Sequence, residues 1–188
     1  MELPALLIID MVKDNFVEEK HLPITALARE IIDPINHLSR FFRQRNWPVV
    51  FSTDAFDKND FIFTGRMQPH SLAGTEGADV VEDLVRREED YWLPKPRFSA
   101  FFKTGLETWL HEHRVTLCAV AGIATPFCVL TTAMDAICHD FKAVLLEDCS
   151  TAFTRELHEQ TLDIYRRNPL YPLFSVKTST ELIKELSK

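Results

Sequence analysis

The run VAGIATPFCV, residues 120–129, is an apolar segment that stops at Gly122 and restarts at Thr125-Pro126. Thr125-Pro126 suits the first positions of a helix and accounts for a helix start without any catalysis. The run therefore predicts a strand, a turn and a helix, with Cys128 in the first helical turn. Amides there have no intrahelical partners and the helix dipole is positive. We expect a lowered pKa for the Cys128 thiol and a nucleophilic role for it.

Outward from this run, strands alternate with helices along the chain. The predicted strands are residues 4–9, 48–53, 91–93, 115–121, 141–146 and 173–176. The predicted helices are 26–45 with a kink or break at Pro34, 78–84, 106–113, 125–138, 155–166 and 179–186, and residues 55–77 form a long loop. This order predicts an α/β fold, a three-layer α-β-α sandwich with a mainly parallel central sheet.

Composition limits the function classes. The 188 residues suit a single domain over residues 1–188, and no apolar run approaches the ~20 residues of a membrane span. A net charge of -7 argues against nucleic acid as a partner. No export signal is evident, and the four cysteines form no C-x-x-C pair, so we expect reduced thiols in the cytoplasm, three of them as core residues.

Three polar residues follow predicted strands directly. They are Asp10, Asp54 and Lys95, and the turn before Cys128 follows a fourth strand. Because sites in open parallel sheets form beyond the carboxyl ends of the strands, we expect these groups to share one cleft. An ammonium there favours a thiolate, and Asp10 is suited to move protons. Each residue also has an ordinary interpretation, since such aspartates often cap turns and a lone lysine is usually solvated.

Four motifs carry a resemblance to a known family. They are LLIIDM (6–11), KPRFSAF (95–101), GIATPFCV (122–129) and LEDC (146–149). In this order, over nearly the whole chain, they resemble the isochorismatase-like cysteine hydrolases, which include nicotinamidases, N-carbamoylsarcosine amidases and ureidoacrylate amidases. The resemblance implies a catalytic triad of Asp10, Lys95 and Cys128 that cleaves the C–N bond of an amide through a thioester.

The resemblance also implies an oxyanion hole and a metal site. The backbone amides of Ala124 and Cys128 would bind the oxyanion beside a cis peptide bond at Ile123-Ala124. A divalent metal, zinc or manganese, would be held through Asp54 and His70, although Phe56 stands where metal-binding members have a further histidine. The site is therefore incomplete, and His70 has the alternative of a hydrogen bond within its loop.

Pocket residues and oligomeric state are implied more loosely. Phe16, Phe98 and Phe127 are candidates for an apolar substrate pocket, but Asn15 stands where nicotinamidases usually have the pocket phenylalanine. Relatives commonly form dimers or tetramers, so we expect a homo-oligomer.

The leading interpretation of the sequence is thus a thiol amidase for a small molecule. Three alternatives stay open. One is an isochorismatase, which cleaves a vinyl ether by acid catalysis and needs no thiol. The others are a catalytically silent binding member and a redox thiol protein.

Overall fold

A computed structural model describes residues 2–188 and contains one six-stranded sheet in which every pairing is parallel. The spatial order is β3-β2-β1-β4-β5-β6. The strands are β1 Pro4–Ile9, β2 Val49–Asp54, β3 Tyr91–Lys95, β4 Leu117–Ile123, β5 Lys142–Thr151 and β6 Phe174–Lys177. The predicted strands are all present, and β5 runs five residues beyond its expected end at residue 146.

Helices cover both faces of the sheet. They are α1 Pro23–Glu30, α2 Ile32–Arg43, α3 Leu106–Glu112, α4 Leu130–Cys138, α5 Arg155–Arg166 and α6 Ser179–Leu186. Core residues of α1, α2 and α6 pack on one face, and those of α3, α4 and α5 pack on the other. The predicted three-layer α-β-α sandwich is confirmed.

The central strands are apolar throughout because both of their faces are buried. In β1, Leu6 and Ile8 belong to the core under α1 and α2, whereas Leu7 and Ile9 belong to the opposite core. Such continuous apolar runs are typical of strands in a parallel sheet that is covered on both sides. β1 ends at Ile9, and the next residue is the polar Asp10.

Two details of the sequence prediction are wrong. Residues 79–84 contain no helix, because Val80 instead forms a bridge with Val12, and the Val81 amide donates to the Met11 carbonyl. The break between α1 and α2 falls at Ile31 and not at Pro34. Pro34 then lies in the first turn of α2. Backbone N–H groups in a first turn have no partner within the helix, so the missing N–H of proline costs no helical hydrogen bond. None of the helices within residues 2–188 is long and apolar enough to cross a membrane.

Candidate active site

Four neighbouring strands direct polar groups to one edge of the sheet. Asp10 follows β1, Asp54 ends β2, Lys95 ends β3, and Cys128 follows β4. Since β3, β2, β1 and β4 are adjacent and parallel, their carboxyl ends meet at the same edge. Donor atoms of Asp10, Asp54 and Cys128 all lie within 4.8 Å of one another. The structure thus brings together the acid, amine and thiol that the sequence singled out.

Asp10 is held in place by hydrogen bonds to both carboxylate oxygens. The backbone N–H of Asp54 donates to Oδ1 at 2.7 Å, and Nζ of Lys95 donates to Oδ2 at 2.9 Å. The Asn15 side chain donates to the Asp10 carbonyl at 3.0 Å. Asp10 has a φ of 53°, which turns the chain sharply at the end of β1. The carboxylate is therefore fixed in orientation before any substrate binds.

Lys95 is fully enclosed, with 0% of its surface exposed. Its ammonium contacts a second carboxylate, because Nζ also donates to Oδ1 of Asp54. Burial alone would lower the pKa of Lys95, but the charges of Asp10 and Asp54 raise it above its ordinary value. Lys95 is thus a buried cation at physiological pH. The alternative interpretation of Lys95 as a solvated surface charge is therefore wrong.

Asp54, the second carboxylate at this edge of the sheet, has a perturbed pKa. Burial, followed by the negative charge of Asp10, raises the pKa of Asp54 to about 7, against the lowering effect of Lys95. Two carboxylates then share one ammonium. Because like charges at short range oppose one another's ionisation, Asp54 holds a proton more readily than an ordinary aspartate does.

Cys128 lies in a π-helical turn, Thr125–Val129, that leads into α4. Its side chain is buried, with 7% of the residue exposed. Burial and then the charge of Asp10 raise the pKa of the Cys128 thiol well above its ordinary value, although Lys95 acts in the opposite direction. The expectation of a lowered pKa was wrong. Desolvation and two nearby carboxylates outweigh the helix dipole and the ammonium.

The chain bends sharply between β4 and the π-helical turn. The peptide bond between Ile123 and Ala124 is cis. Gly122 has a φ of 109°, and a Cβ at this position would lie 2.1 Å from the carbonyl oxygen of Ile9 in β1. Only glycine permits so close an approach of two backbones. This contact sets where β4 ends and hence where Ala124 and Cys128 begin the next segment.

A cavity of about 170 Å³ opens onto these residues. It is lined by Asp10, Asn15, Ile24, Asp54, Phe56, Met67, His70, Phe98, Ile123, Ala124, Phe127, Cys128 and Phe153. Phe98 and Phe127, two of the predicted pocket residues, are therefore on its wall. Phe16 is not, because its ring packs into the core cluster that includes residues of α1 and α2. Phe153 was missed by the sequence analysis, since it follows β5 outside every motif.

The residues present do not fit the metal site that the resemblance implies. His70 is in no group of three gathered ligands within residues 2–188; its Nδ1 lies 2.9 Å from the Gln68 carbonyl oxygen. Phe56 is 1% exposed and packs edge-to-face on Phe63 and His70. Among the residues that the structure describes, the one gathered group is Asp10, Asp54 and Cys128, and there the Lys95 ammonium already compensates both carboxylates. A divalent cation would compete with that lysine.

One contact behind the nucleophile turn was not anticipated. Oγ1 of Thr125 and Nδ1 of His158, on α5, are 2.8 Å apart, and both residues are buried. Burial lowers the pKa of His158, so its ring is neutral at pH 7. The only signal in the sequence was a histidine at an inward position of an amphipathic helix, which is also the pattern of an ordinary core residue.

Fold and site together define an α/β protein with a thiol-containing cleft at the carboxyl edge of a parallel sheet. The chain belongs to the isochorismatase family: a model described as an isochorismatase domain matches residues 4–181. A probable inactive nicotinamidase of Arabidopsis thaliana is 34% identical over 164 residues, which cover 82% of this chain and 83% of that protein. The family relatives include amide hydrolases.

Solved structures give the same result. An isochorismatase-like hydrolase from Alkaliphilus metalliredigens is similar with a TM-score of 0.83 and 30% identity, covering 97% of this chain and 98% of that one. The nicotinamidase PncA from Bacillus subtilis is similar with a TM-score of 0.76 and 30% identity, covering 93% and 98% respectively.

Proposed function

We propose that this protein is a cysteine-dependent hydrolase that cleaves an amide C–N bond of a small molecule. The observation that carries the proposal is the convergence of the Cys128 thiol, the Asp10 carboxylate and the Lys95 ammonium beside one cavity. A thiol nucleophile needs a base, a stabilising charge and space for a carbonyl carbon. These three side chains supply the first two, and the cavity provides the third.

The proton follows a path that Asp10 can complete alone. Cys128 is a neutral thiol in the free protein, because its pKa is raised. As Sγ attacks the carbonyl carbon, Asp10 takes the thiol proton and a C–S bond forms. Asp10 then protonates the leaving nitrogen, and the C–N bond breaks to give a thioester and an amine or ammonia. Water attacks the thioester with Asp10 as base, the acid leaves, and the proton returns to sulfur.

Lys95 and the backbone amides stabilise the charges that develop. Lys95 keeps a fixed positive charge beside Asp10 and Cys128 throughout the cycle. The oxyanion is bound by the amides of Ala124 and Cys128, as the family resemblance implies. Support comes from their place on the cavity wall at the start of a helical segment, where backbone donors are available. No step in this cycle requires a metal ion.

A silent binding protein is the second candidate, because one relative at 34% identity is described as a probable inactive nicotinamidase. Ammonia release from nicotinamide and a panel of small amides separates the two functions. We expect turnover by the native protein, none by Cys128→Ala, and unchanged turnover by Cys138→Ala, since Cys138 is an exposed cysteine at the end of α4. Turnover that survives Cys128→Ala would contradict a thiol mechanism. No turnover of any amide, with ligand binding retained, would support the silent member.

The same measurement with and without a chelator tests the role of metal. We expect equal rates, because the Lys95 ammonium occupies the position between the two carboxylates.

We also propose one domain over residues 1–188, a homo-oligomer, and a cytoplasmic location, the last because the four cysteines are free thiols.

A further inference from the structure

Asn15 brings a neutral amide to the wall of the cavity beside Cys128. The polar side chains on this wall are those of Asp10, Asn15, Asp54, His70 and Cys128, and the rest of the wall is apolar or aromatic. Asp10 and Cys128 carry out the proposed chemistry, and Asp54 contacts the Lys95 ammonium. A polar group of a substrate that lies away from the reacting carbonyl therefore has few partners here, and Asn15 is one of them.

The orientation of the Asn15 amide is fixed by its contact with Asp10. Nδ2 of Asn15 lies 3.0 Å from the backbone carbonyl oxygen of Asp10. A carbonyl oxygen only accepts hydrogen bonds, so the end of the amide that faces it must be the NH2 group. The backbone of Asn15 is held as well, because its N–H donates to the Val12 carbonyl and its carbonyl accepts from the Thr25 hydroxyl. Oδ1 is thus the end of the amide that points away from the Asp10 carbonyl.

Oδ1 of Asn15 is an unused acceptor. Its side chain donates one hydrogen bond, and Oδ1 accepts none from the residues within 2–188. In that range the buried side-chain nitrogen and oxygen atoms that lack a partner are the hydroxyls of Ser52, Ser71 and Ser150. Oδ1 is not among these buried atoms, so it keeps contact with solvent. Asn15 is only partly buried and lines the cavity, which places an open acceptor on a largely apolar wall.

An open acceptor on such a wall selects for a hydrogen-bond donor. When a ligand covers the wall, the water at Oδ1 leaves, and the oxygen either receives a donor from the ligand or stays unpaired. A covered oxygen without a donor is destabilising, and a ligand group that can only accept adds repulsion. A site that hydrogen-bonds a ligand N–H or O–H therefore discriminates more sharply against the analogue lacking it than an apolar contact does.

We propose that Asn15 determines substrate specificity by accepting a hydrogen bond from an N–H or O–H group that is not part of the scissile amide. The proposal rests on the proposed amidase function and assigns one further residue of its site. The two ends of one side chain then serve two partners, since Nδ2 supports the backbone of Asp10 and Oδ1 receives the substrate donor. Amides with such a donor are favoured over isosteres that carry a methyl group or an acceptor in its place.

Two pairs of similar amides place the donor at different distances from the scissile carbonyl. Pyrrole-2-carboxamide and furan-2-carboxamide differ in a ring N–H against a ring oxygen, and 3-aminobenzamide and 3-methylbenzamide differ in an amino against a methyl group. We expect Asn15→Leu, which is similar in shape but lacks the acceptor, to reduce the donor-to-isostere ratio of kcat/KM about tenfold in at least one pair. The intrinsic reactivity of each amide cancels in this comparison of variants. Unchanged ratios in both pairs would overturn the proposal.

Asn15→Asp separates recognition of the substrate from support of Asp10. The aspartate keeps an acceptor oxygen but loses the N–H that the Asp10 carbonyl receives. We expect kcat to fall for all four amides in both variants, whereas the donor preference persists in Asn15→Asp and is lost in Asn15→Leu. Loss of the preference in both variants would mean that Asn15 acts only by holding Asp10, and this contradicts the proposal.

His70 is the control for the other polar group on the wall, since its Nδ1 lies 2.9 Å from the Gln68 carbonyl oxygen. We expect His70→Leu to change the rates of the two amides of a pair by the same factor. Loss of the donor preference in His70→Leu, with the preference retained in Asn15→Leu, would assign recognition to His70 and overturn the proposal.

Binding distinguishes a failure of this inference from a failure of the proposed function. If no amide is hydrolysed, the amidase proposal fails, and thermal shift with Cys128→Ala still compares the members of each pair as ligands. A larger stabilisation by the donor-bearing member that disappears when Asn15→Leu is added supports the role of Asn15 in a silent binding protein. Equal stabilisation within both pairs, or stabilisation by none of the four amides, overturns it.

Discussion

Nζ of Lys95 lies 2.9 Å from Oδ2 of Asp10, and both side chains are buried. The same ammonium also contacts Asp54, so a single buried cation holds two carboxylates at the edge of the sheet. This contact ties the ends of β1, β2 and β3 together and fixes the charge that the Cys128 thiol experiences. Changes to any of the three groups should therefore alter stability and thiol reactivity together.

Replacing Lys95 with methionine should destabilise the fold. Lys95→Met leaves Asp10 and Asp54 facing each other in a buried site without a counter-ion, which we expect to cost about 3 kcal/mol or more. Urea unfolding measures the change in the free energy of unfolding. Lys103 forms no ion pair with a carboxylate within residues 2–188, so Lys103→Met is the control. We expect it to change the free energy of unfolding little.

A second substitution should restore part of that loss. With Asp54→Asn added to Lys95→Met, one of the two uncompensated carboxylates becomes neutral, and stability should recover by about 1 kcal/mol or more. A double variant as unstable as the sum of its single changes would show that the charges of Asp10 and Asp54 do not interact.

Asp54→Asn alone should make Cys128 more reactive. The Asp54 carboxylate lies within 4.8 Å of Sγ and raises the pKa of the thiol, so removing its charge increases the thiolate fraction. We expect iodoacetamide to alkylate Cys128 about 3 to 10 times faster at pH 8 than in the native protein. Mass spectrometry of the Cys128 peptide gives the rate, and Asp57→Asn, an exposed carboxylate, is the control.

The ratio of the alkylation rates of Asp54→Asn and the native protein should increase with pH. Because the pKa of Asp54 is about 7, Asp54 is largely protonated below pH 7 and already resembles asparagine. The advantage of Asp54→Asn should therefore grow above pH 7 and disappear by about pH 6. A constant ratio across this range would mean that Asp54 keeps one protonation state, against the pKa that its burial and Asp10 impose.

Much of this site was predictable from sequence because parallel strands place their carboxyl ends together. Asp10, Asp54 and Lys95 each end or follow an apolar strand, so the periodicity that located the strands also located the cleft. The fold class followed from the same alternation. These inferences depend on local pattern and on one general property of parallel sheets, and both are visible in a single sequence.

The pKa of Cys128 was predicted in the wrong direction because it depends on long-range contacts. Local sequence shows a thiol at a helix start, but the desolvation of that thiol and the second carboxylate, Asp54, come from packing between distant segments. Phe153 and His158 were missed for the same reason. Phe153 lies in the loop between β5 and α5, and His158 lies on the amphipathic helix α5. Only the fold brings Phe153 to the cavity and His158 to Thr125.

His158 should position the turn that carries Cys128. Its ring atom Nδ1 lies 2.8 Å from the Thr125 hydroxyl oxygen. His158→Phe leaves the buried hydroxyl without a partner, which should cost about 1 to 3 kcal/mol of stability and lower kcat more than it changes KM. His158→Asn, which retains a polar atom near Nδ1, should recover part of kcat.

A double-mutant cycle with Thr125→Val checks that the effect passes through this contact. Once the hydroxyl is gone, His158→Phe should cause little further loss of kcat, and the coupling in stability should be about 1 kcal/mol. Losses that simply add would show that His158 acts on the fold in general and not on the Thr125 hydroxyl.

Gly122→Ala should be the most disruptive small substitution in the chain. A Cβ there would lie 2.1 Å from the Ile9 carbonyl oxygen and 2.7 Å from the Ile9 amide nitrogen, and a backbone atom of a central strand cannot move aside. We expect a loss of about 4 kcal/mol or more, or no folded protein. Gly105→Ala shares a positive φ, 79°, but meets no atom within 4 Å, so it should cost only about 1 kcal/mol. Gly65→Ala, with open space and no positive φ, should be nearly neutral. Thermal unfolding of the three variants separates the steric contribution to stability from the conformational one. Similar losses of stability for Gly122→Ala and Gly105→Ala would show that the close approach of β1 and β4 is not what requires glycine at position 122.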